Sequence, residues 1–111
     1  VRAYSMGMKQ RLGIAMALVG EPDLLILDEP INGLDPQGIL EIRNLLEKIH
    51  KERNVTMIIS SHILDELAKT ATRFCVLNKG GIIKNCTKDE FLSDCGDNDI
   101  SEYYLQLIQT N

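Results

Sequence analysis

A chain of 111 residues, 44% hydrophobic and 25% charged, has the balance of an ordinary globular domain or of part of one. Its net charge of −4 and the lack of any basic tract give no sign of a nucleic-acid surface. No apolar run approaches the roughly 20 residues that span a bilayer, no signal-peptide pattern is present, and the three cysteines, Cys75, Cys86 and Cys95, match no metal-ligand spacing and read as free thiols in a reducing compartment. The chain opens at Val1, without a methionine and almost inside a motif, so further residues are expected before it.

Ser5 to about Gly20 reads as a helix, with Leu12, Ala15, Met16 and Val19 at helical spacing, Ser5 as N-cap, and Gly20 and Pro22 as the stop. Leu24–Leu27 is a short apolar run ending in Asp28-Glu29-Pro30, the pattern of a strand buried on both faces of a parallel sheet. Asn32-Gly33 makes a turn. Asp35 then caps a helix with Pro36 at its first position, and Ile39, Ile42, Leu45, Leu46 and Ile49 form one apolar stripe. Val55–Ile59 is a second buried strand, running into Ser60-Ser61-His62. A helix with Leu64, Leu67, Ala68 and Ala71 on one side follows. Phe74–Leu77 and Ile82-Ile83 flank Lys79-Gly80-Gly81, a hairpin signal. Helical stretches near 88–92 and 100–108 close the chain, with a polar loop around Gly96 between them. Strands alternating with helices predict an α/β architecture with parallel strands.

Ligands of parallel α/β sheets bind beyond the carboxyl ends of the strands. Asp28 and Glu29 stand at such an end, where two adjacent carboxylates are costly to desolvate without a cation or donors. Magnesium takes one or two carboxylates plus substrate phosphates, which suits Asp28 as its ligand. Glu29 would then face an attacking water as base or positioning group. His62 ends the neighbouring strand in the same way, and an imidazole there can donate to a phosphate oxygen. Ser5 to Lys9 opens a helix with a Ser-x-Gly turn, which offers free N–H groups and the positive end of the helix dipole to an anion. Each element alone also fits a plain role: a strand end meeting solvent, a capping histidine, an ordinary helix start.

Taken together, YSMGMKQR (4–11), LLILDEP (24–30), GLDP (33–36) and SSH (60–62) resemble, in order and spacing, four motifs of ABC transporter nucleotide-binding subunits. These are the signature sequence, Walker B with its catalytic glutamate, the D-loop and the switch histidine. YSMGMKQRLGIAMAL with NGLDPQGILEIR is most similar to the bacitracin and lantibiotic export and self-protection branch. The resemblance implies the carboxy-terminal half of a P-loop NTPase (RecA-like) ABC ATPase domain: a mainly parallel sheet flanked by helices, with a C-terminal β-hairpin. Residues 1–111 would be a partial ABC ATPase domain, from the signature to the C-terminus.

Carried over position by position, the resemblance gives Asp28 the magnesium through its water shell and Glu29 the activation of water. It gives His62 the γ-phosphate and Asp35 the link between two active sites across a dimer. Ser5, Met6 and Gly7 would meet the γ-phosphate of ATP held by a partner subunit. Met6 stands where the family has the first signature glycine and Met8 where it has glutamine, so bulk is added where phosphate approaches. The implied cofactors are ATP and Mg2+. The implied partners are transmembrane permease subunits and a second ATPase subunit, without nucleic acid, at the cytoplasmic face of the membrane.

The family's GxxxxGK[ST] loop, its adenine-stacking aromatic and its Q-loop do not occur in the chain. The intact subunit is therefore expected to be an ATPase coupled to export, and these residues alone to be inactive. Two other readings compete: a soluble ABC-type ATPase acting on DNA or ribosomes, against which the absence of heptads and basic tracts counts, and a non-catalytic ABC-like interaction module, against which the retention of both Glu29 and His62 counts.

Overall fold

A computed structural model describes residues 6–110, apart from the side chains of Met6 and Thr110. Ser5, the expected N-cap and signature serine, lies outside the described residues. The chain divides into two compact units, residues 1–62 and 63–111.

The first unit runs α1 (Met6–Ala17), β1 (Leu24–Asp28), α2 (Pro36–Arg53) and β2 (Thr56–Ser60). The strands pair in parallel from Leu24 opposite Thr56 to Asp28 opposite Ser60, with α2 as the crossover. Helix α2 begins where the sequence says it should. Asp35 lies in an extended conformation, its Oδ1 accepts the Gly38 N–H at 2.7 Å, and Pro36 follows without needing a partner for a missing N–H. Asn54 stops the helix in the left-handed region at φ 55°, its N–H donating to the His50 carbonyl, while His50, Lys51 and Arg53 oppose the negative end of the dipole. Of the expected stripe, Ile42, Leu46 and Ile49 are buried and Ile39 and Leu45 are half-buried. With Ile14, Leu25, Ile31 and Val55 they make the buried apolar set of this unit.

Two expectations about burial are corrected here. Ile14 is the buried residue of α1, whereas Leu12, Ala15, Met16 and Val19 are all exposed, Val19 at 82%. The helix is joined to α2 in part through a salt bridge between Arg11 and Glu41. The strands alternate rather than being buried on both faces: Leu25 is buried, but Leu24, Ile26 and Ile58 are exposed, Ile26 at 69%. The physical reason is the same in both cases. The described elements of this unit bring apolar partners to one face of the strands and one side of the helix, and an apolar pattern does not by itself supply its cover.

The second unit runs α3 (Leu64–Thr70), β3 (Arg73–Asn78), β4 (Gly81–Thr87), α4 (Lys88–Cys95) and α5 (Ile100–Thr110). Strands β3 and β4 form the antiparallel hairpin expected from Lys79-Gly80, both with positive φ, at 51° and 78°. Two central residues of that hand match the twist of the strands they join. A register shift between Val76 and Leu77 admits one extra residue on β4. Thr87 and Glu90 cap α4 reciprocally, the hydroxyl accepting the Glu90 N–H and the carboxylate accepting the Thr87 N–H. Phe91 anchors the core of this unit, with ring centroids 4.8 Å from Phe74 and 5.0 Å from Tyr103, the latter edge-on. Ala68, Val76, Cys86 and Cys95 complete that core. The three thiols are free, and burial pushes that of Cys95 above its ordinary range.

Candidate functional site

The site is built at the carboxyl ends of β1 and β2, from residues that the parallel register forces together. Residues paired across parallel strands send their side chains to the same face. Asp28 and Ser60 are such a pair, and the Ser60 hydroxyl donates to Asp28 Oδ1 at 2.6 Å. That length belongs to O–H···O⁻ bonds, which are stronger than neutral ones.

One residue on, the chain turns sharply. Glu29 sits at φ 50°, a left-handed conformation that costs a residue with a Cβ about 1–2 kcal/mol. Its backbone is held on both sides: its N–H donates to the Ser60 carbonyl at 2.9 Å and to Ser60 Oγ at 3.3 Å, and its carbonyl accepts the Asn32 N–H at 3.2 Å. At about 1 kcal/mol net per bond, these contacts offset the strain. Strained backbone of this kind gathers at functional sites, where the surroundings fix a side chain in a set direction.

The fixed direction brings Glu29 to His62. Nδ1 of the imidazole lies 3.0 Å from Glu29 Oε2. The His62 side chain is 65% exposed and that of Glu29 33%. An exposed pair contributes at most about 1 kcal/mol to stability, so its consequence is geometric: Glu29 and His62 hold each other's orientation. With its proton on Nδ1, His62 donates to the carboxylate and keeps Nε2 for another partner.

Asp28, Glu29 and His62 are thus brought into one hydrogen-bonded chain, and Ser60 joins it. Nothing in the sequence singles out Ser60 beyond its place at a strand end, because the pairing register that sets it beside Asp28 is not written in either strand. Asp35 stands apart from this chain, its Oδ1 committed to the start of α2. Gly7 lies in the first turn of α1, with no atom within 4 Å of where a Cβ would stand, and takes no part in these bonds. Met6 begins the helix.

Among the described residues, no group of three or more His, Cys, Asp or Glu could hold a metal ion. A cage built wholly of protein is therefore not what the donors suit. Magnesium needs less, keeping several waters and taking one or two carboxylates with substrate phosphates. The Asp28 carboxylate, exposed at the strand end with Oδ1 bonded to Ser60, fits that requirement. A shallow depression of about 280 Å3, lined by Leu18, Glu21, Pro22, Asp23, Arg53 and Val55, opens instead at the amino ends of the strands. The candidate residues stand at the other end, where ligands of parallel sheets bind.

The architecture, a parallel strand pair with its catalytic-type groups at the carboxyl ends, helices around it and a C-terminal hairpin, is that of ABC ATPase domains of the P-loop NTPase fold. A chain of Clostridium perfringens, solved as cbiO1, part of the ABC transporter complex cbiONQ, superposes with a TM-score of 0.75 at 39% identity, over 83% of this chain and 37% of that one. The profile of the AAA domain family described as "putative AbiEii toxin, Type IV TA system" matches residues 1–68. An ABC transporter ATP-binding protein of Bacillus subtilis is 46% identical over 110 residues, which is 98% of this chain and 34% of that protein. A bacitracin transport ATP-binding protein of Enterococcus faecalis is 53% identical over 87 residues, 78% of this chain and 28% of its own. A lantibiotic transport ATP-binding protein of Streptococcus pyogenes is 52% identical over 83 residues, 75% of this chain and 36% of its own. The chain belongs to the AAA domain family, and its relatives over most of its length are ABC transporter ATP-binding proteins, bacitracin and lantibiotic transport proteins among them. It spans about a third of the length of these relatives.

Proposed function

We propose that the chain is part of the ATP-binding subunit of an ABC transporter that couples ATP hydrolysis to export, with antimicrobial peptides as the cargo class and export or self-protection as the setting. Residues 1–111 are read as the segment of the ATPase domain that runs from the signature sequence to the C-terminus. The observation that carries the proposal is the bonded series Asp28–Ser60–Glu29–His62 at the strand ends. The names of the bacitracin and lantibiotic relatives support the cargo class.

Magnesium, when bound with ATP, would neutralise charge on the β- and γ-phosphates. The chain's own residues do the rest. Asp28 would hold the cation through its water shell. Glu29 Oε2 is engaged by His62, and Oε1 accepts a proton from the water that attacks the γ-phosphate, yielding ADP and phosphate. His62 orients Glu29 through Nδ1 and, with a proton on Nε2 as well, donates from Nε2 to a γ-phosphate oxygen. Met6 and Gly7, in the first turn of α1, present backbone N–H groups and the positive end of the helix dipole to the nucleotide of a second ATPase subunit, and Ser5, which precedes them in sequence, joins them in that role. Asp35 lies at the join between the two sites. Transmembrane permease subunits and the second ATPase subunit are the partners, and the cytoplasmic face of the membrane is the location. Among the described residues no helix is long and apolar enough to cross a membrane.

The test is Glu29→Gln in the full-length protein. The variant keeps the shape of the side chain and loses the base. Turnover of Mg-ATP should fall by about 10²–10⁴-fold while ATP still binds, and the protein should accumulate as an ATP-bound dimer. Near-normal turnover would move the base elsewhere.

A further inference from the structure

We propose that Ser60 is a positioning residue for the two carboxylates of the site, setting Asp28 for the cation and Glu29 for the water. This rests on the roles proposed above for Asp28 and Glu29. The argument begins with what one hydroxyl can do. It has one proton to donate and lone pairs to accept with. An ionised carboxylate only accepts, so the Ser60 proton goes to Asp28 Oδ1, at 2.6 Å. The N–H of Glu29 only donates, so it takes a lone pair of the same oxygen, at 3.3 Å. The polarity of the whole arrangement is therefore fixed by its end groups.

Both residues need fixing. Asp28 is exposed, and among the described residues the Ser60 hydroxyl is the group seen to donate to its carboxylate. Without the hydroxyl, nothing in the bonded series would select one rotamer of that side chain. Glu29 holds a left-handed backbone, and both polar groups that receive its N–H belong to Ser60, the carbonyl at 2.9 Å and the hydroxyl at 3.3 Å. From the end of β2 at Ser60 the chain runs on to His62, which engages the Glu29 carboxylate. One strand end thus addresses the cation ligand through its hydroxyl, the base through its backbone and the base's carboxylate through an imidazole. Groups that orient a metal ligand from behind commonly change metal affinity or activity by about 10–100-fold when removed. Ser60 is exposed, so its loss leaves no buried polar group unpaired and the fold should survive.

The experiment uses the full-length protein with a non-hydrolysable ATP analogue and Mn2+ as the probe. Free Mn2+ is read by electron paramagnetic resonance. Ser60→Ala should weaken Mn2+ binding to the nucleotide complex by about tenfold and raise the Mg2+ concentration for half-maximal turnover in the same direction, with an unchanged melting temperature. Ser60→Thr keeps the hydroxyl and should restore both. Asp28→Asn is the control. If Asp28→Asn weakens Mn2+ binding and Ser60→Ala leaves it at the wild-type value, the positioning role is overturned while the role of Asp28 stands. If Asp28→Asn itself leaves Mn2+ binding unchanged, the reading of Asp28 fails and the role of Ser60 falls with it. Failure of Ser60→Thr to restore binding also overturns the proposal, since it would make the hydroxyl irrelevant.

Discussion

Asp35 carries a structural duty that can be measured separately from any functional one. Its Oδ1 accepts the Gly38 N–H at 2.7 Å, and its charge lies at the positive end of the 18-residue helix α2. Replacing it with alanine removes a capping bond, about 0.5–2 kcal/mol, and a charge–dipole interaction, about 0.3–1 kcal/mol at an exposed position. The sum is about 0.8–3 kcal/mol. Asp35→Asn keeps an equivalent cap and loses only the charge, so its cost should stay below about 1 kcal/mol. Gly38 makes the reasoning sharper. A Cβ there would stand 3.1 Å from Asp35 Oδ1 and 3.3 Å from Leu34 Cβ. A glycine inside a helix ordinarily costs about 0.5–1 kcal/mol against alanine. Here Gly38→Ala should not recover that amount, because the new methyl group crowds the capping carboxylate. In an Asp35→Ala background one of the two obstructions is gone, so Gly38→Ala should be better tolerated, and the double-mutant cycle should show coupling. Urea denaturation followed by circular dichroism reads all four proteins. With a slope of about 1–3 kcal/mol per molar, Asp35→Ala should lower the midpoint by roughly 0.3–3 M. Two results would refute the reasoning: an Asp35→Ala midpoint equal to wild type, or Asp35→Asn as damaging as Asp35→Ala. Since asparagine preserves the cap, an Asp35→Asn subunit that is stable but defective in turnover would then isolate the role expected of Asp35 at a dimer join.

Ile42 is 0% exposed; Ile42→Ala should cost about 2–5 kcal/mol and Ile42→Val about 0.5–1.5 kcal/mol, checked by the same midpoints, and a smaller loss for alanine than for valine would contradict the assigned core. The capping box of α4 makes stability sensitive to acid. The Thr87 backbone N–H and hydroxyl hold the Glu90 carboxyl below its ordinary range. A carboxyl whose folded-state value is lowered contributes stability that is present above its unfolded value, about 4.3, and lost as pH falls through the folded one. Glu90→Gln should therefore flatten the acid side of a melting-temperature profile, and an unchanged profile would show that the box carries no proton linkage. For action in trans, Ser5→Arg in the full-length subunit should leave ATP binding to the monomer nearly intact while blocking dimer closure and hydrolysis; an unaltered dimerisation constant would reject the assignment.

The elements of this chain were legible because each announces its own ends. Asp35-Pro36 starts a helix for reasons confined to four residues, and Lys79-Gly80 turns a hairpin because positive φ is needed at both positions. Asp28, Glu29 and His62 were legible as a site by the same locality, since a carboxylate or imidazole just past an apolar strand has few reasons to be there. Ser60 was not, since its role depends on which residue of the other strand it faces. Nothing in TMIIS says that its last residue meets Asp28 and not Leu27. A slip of one residue would send the hydroxyl to the opposite face.

The misread burial has a related cause. Spacing tells which apolar residues share a side, but whether that side is covered depends on other elements. Leu12 and Met16 do share a side of α1, and it is exposed. The same holds for Leu24, Ile26 and Ile58, which occupy the face of the strand pair that ends in Asp28 and Ser60. That face alternates down its length from apolar pairs to a carboxylate bonded to a hydroxyl. Because side chains repeat every second residue, the positions of Asp28 and Ser60 on that face follow from those of Ile26 and Ile58. Inverting the face of one strand would separate the hydroxyl from the carboxylate and, with it, the base from its imidazole. The register of this short strand pair is therefore part of the chemistry of the site.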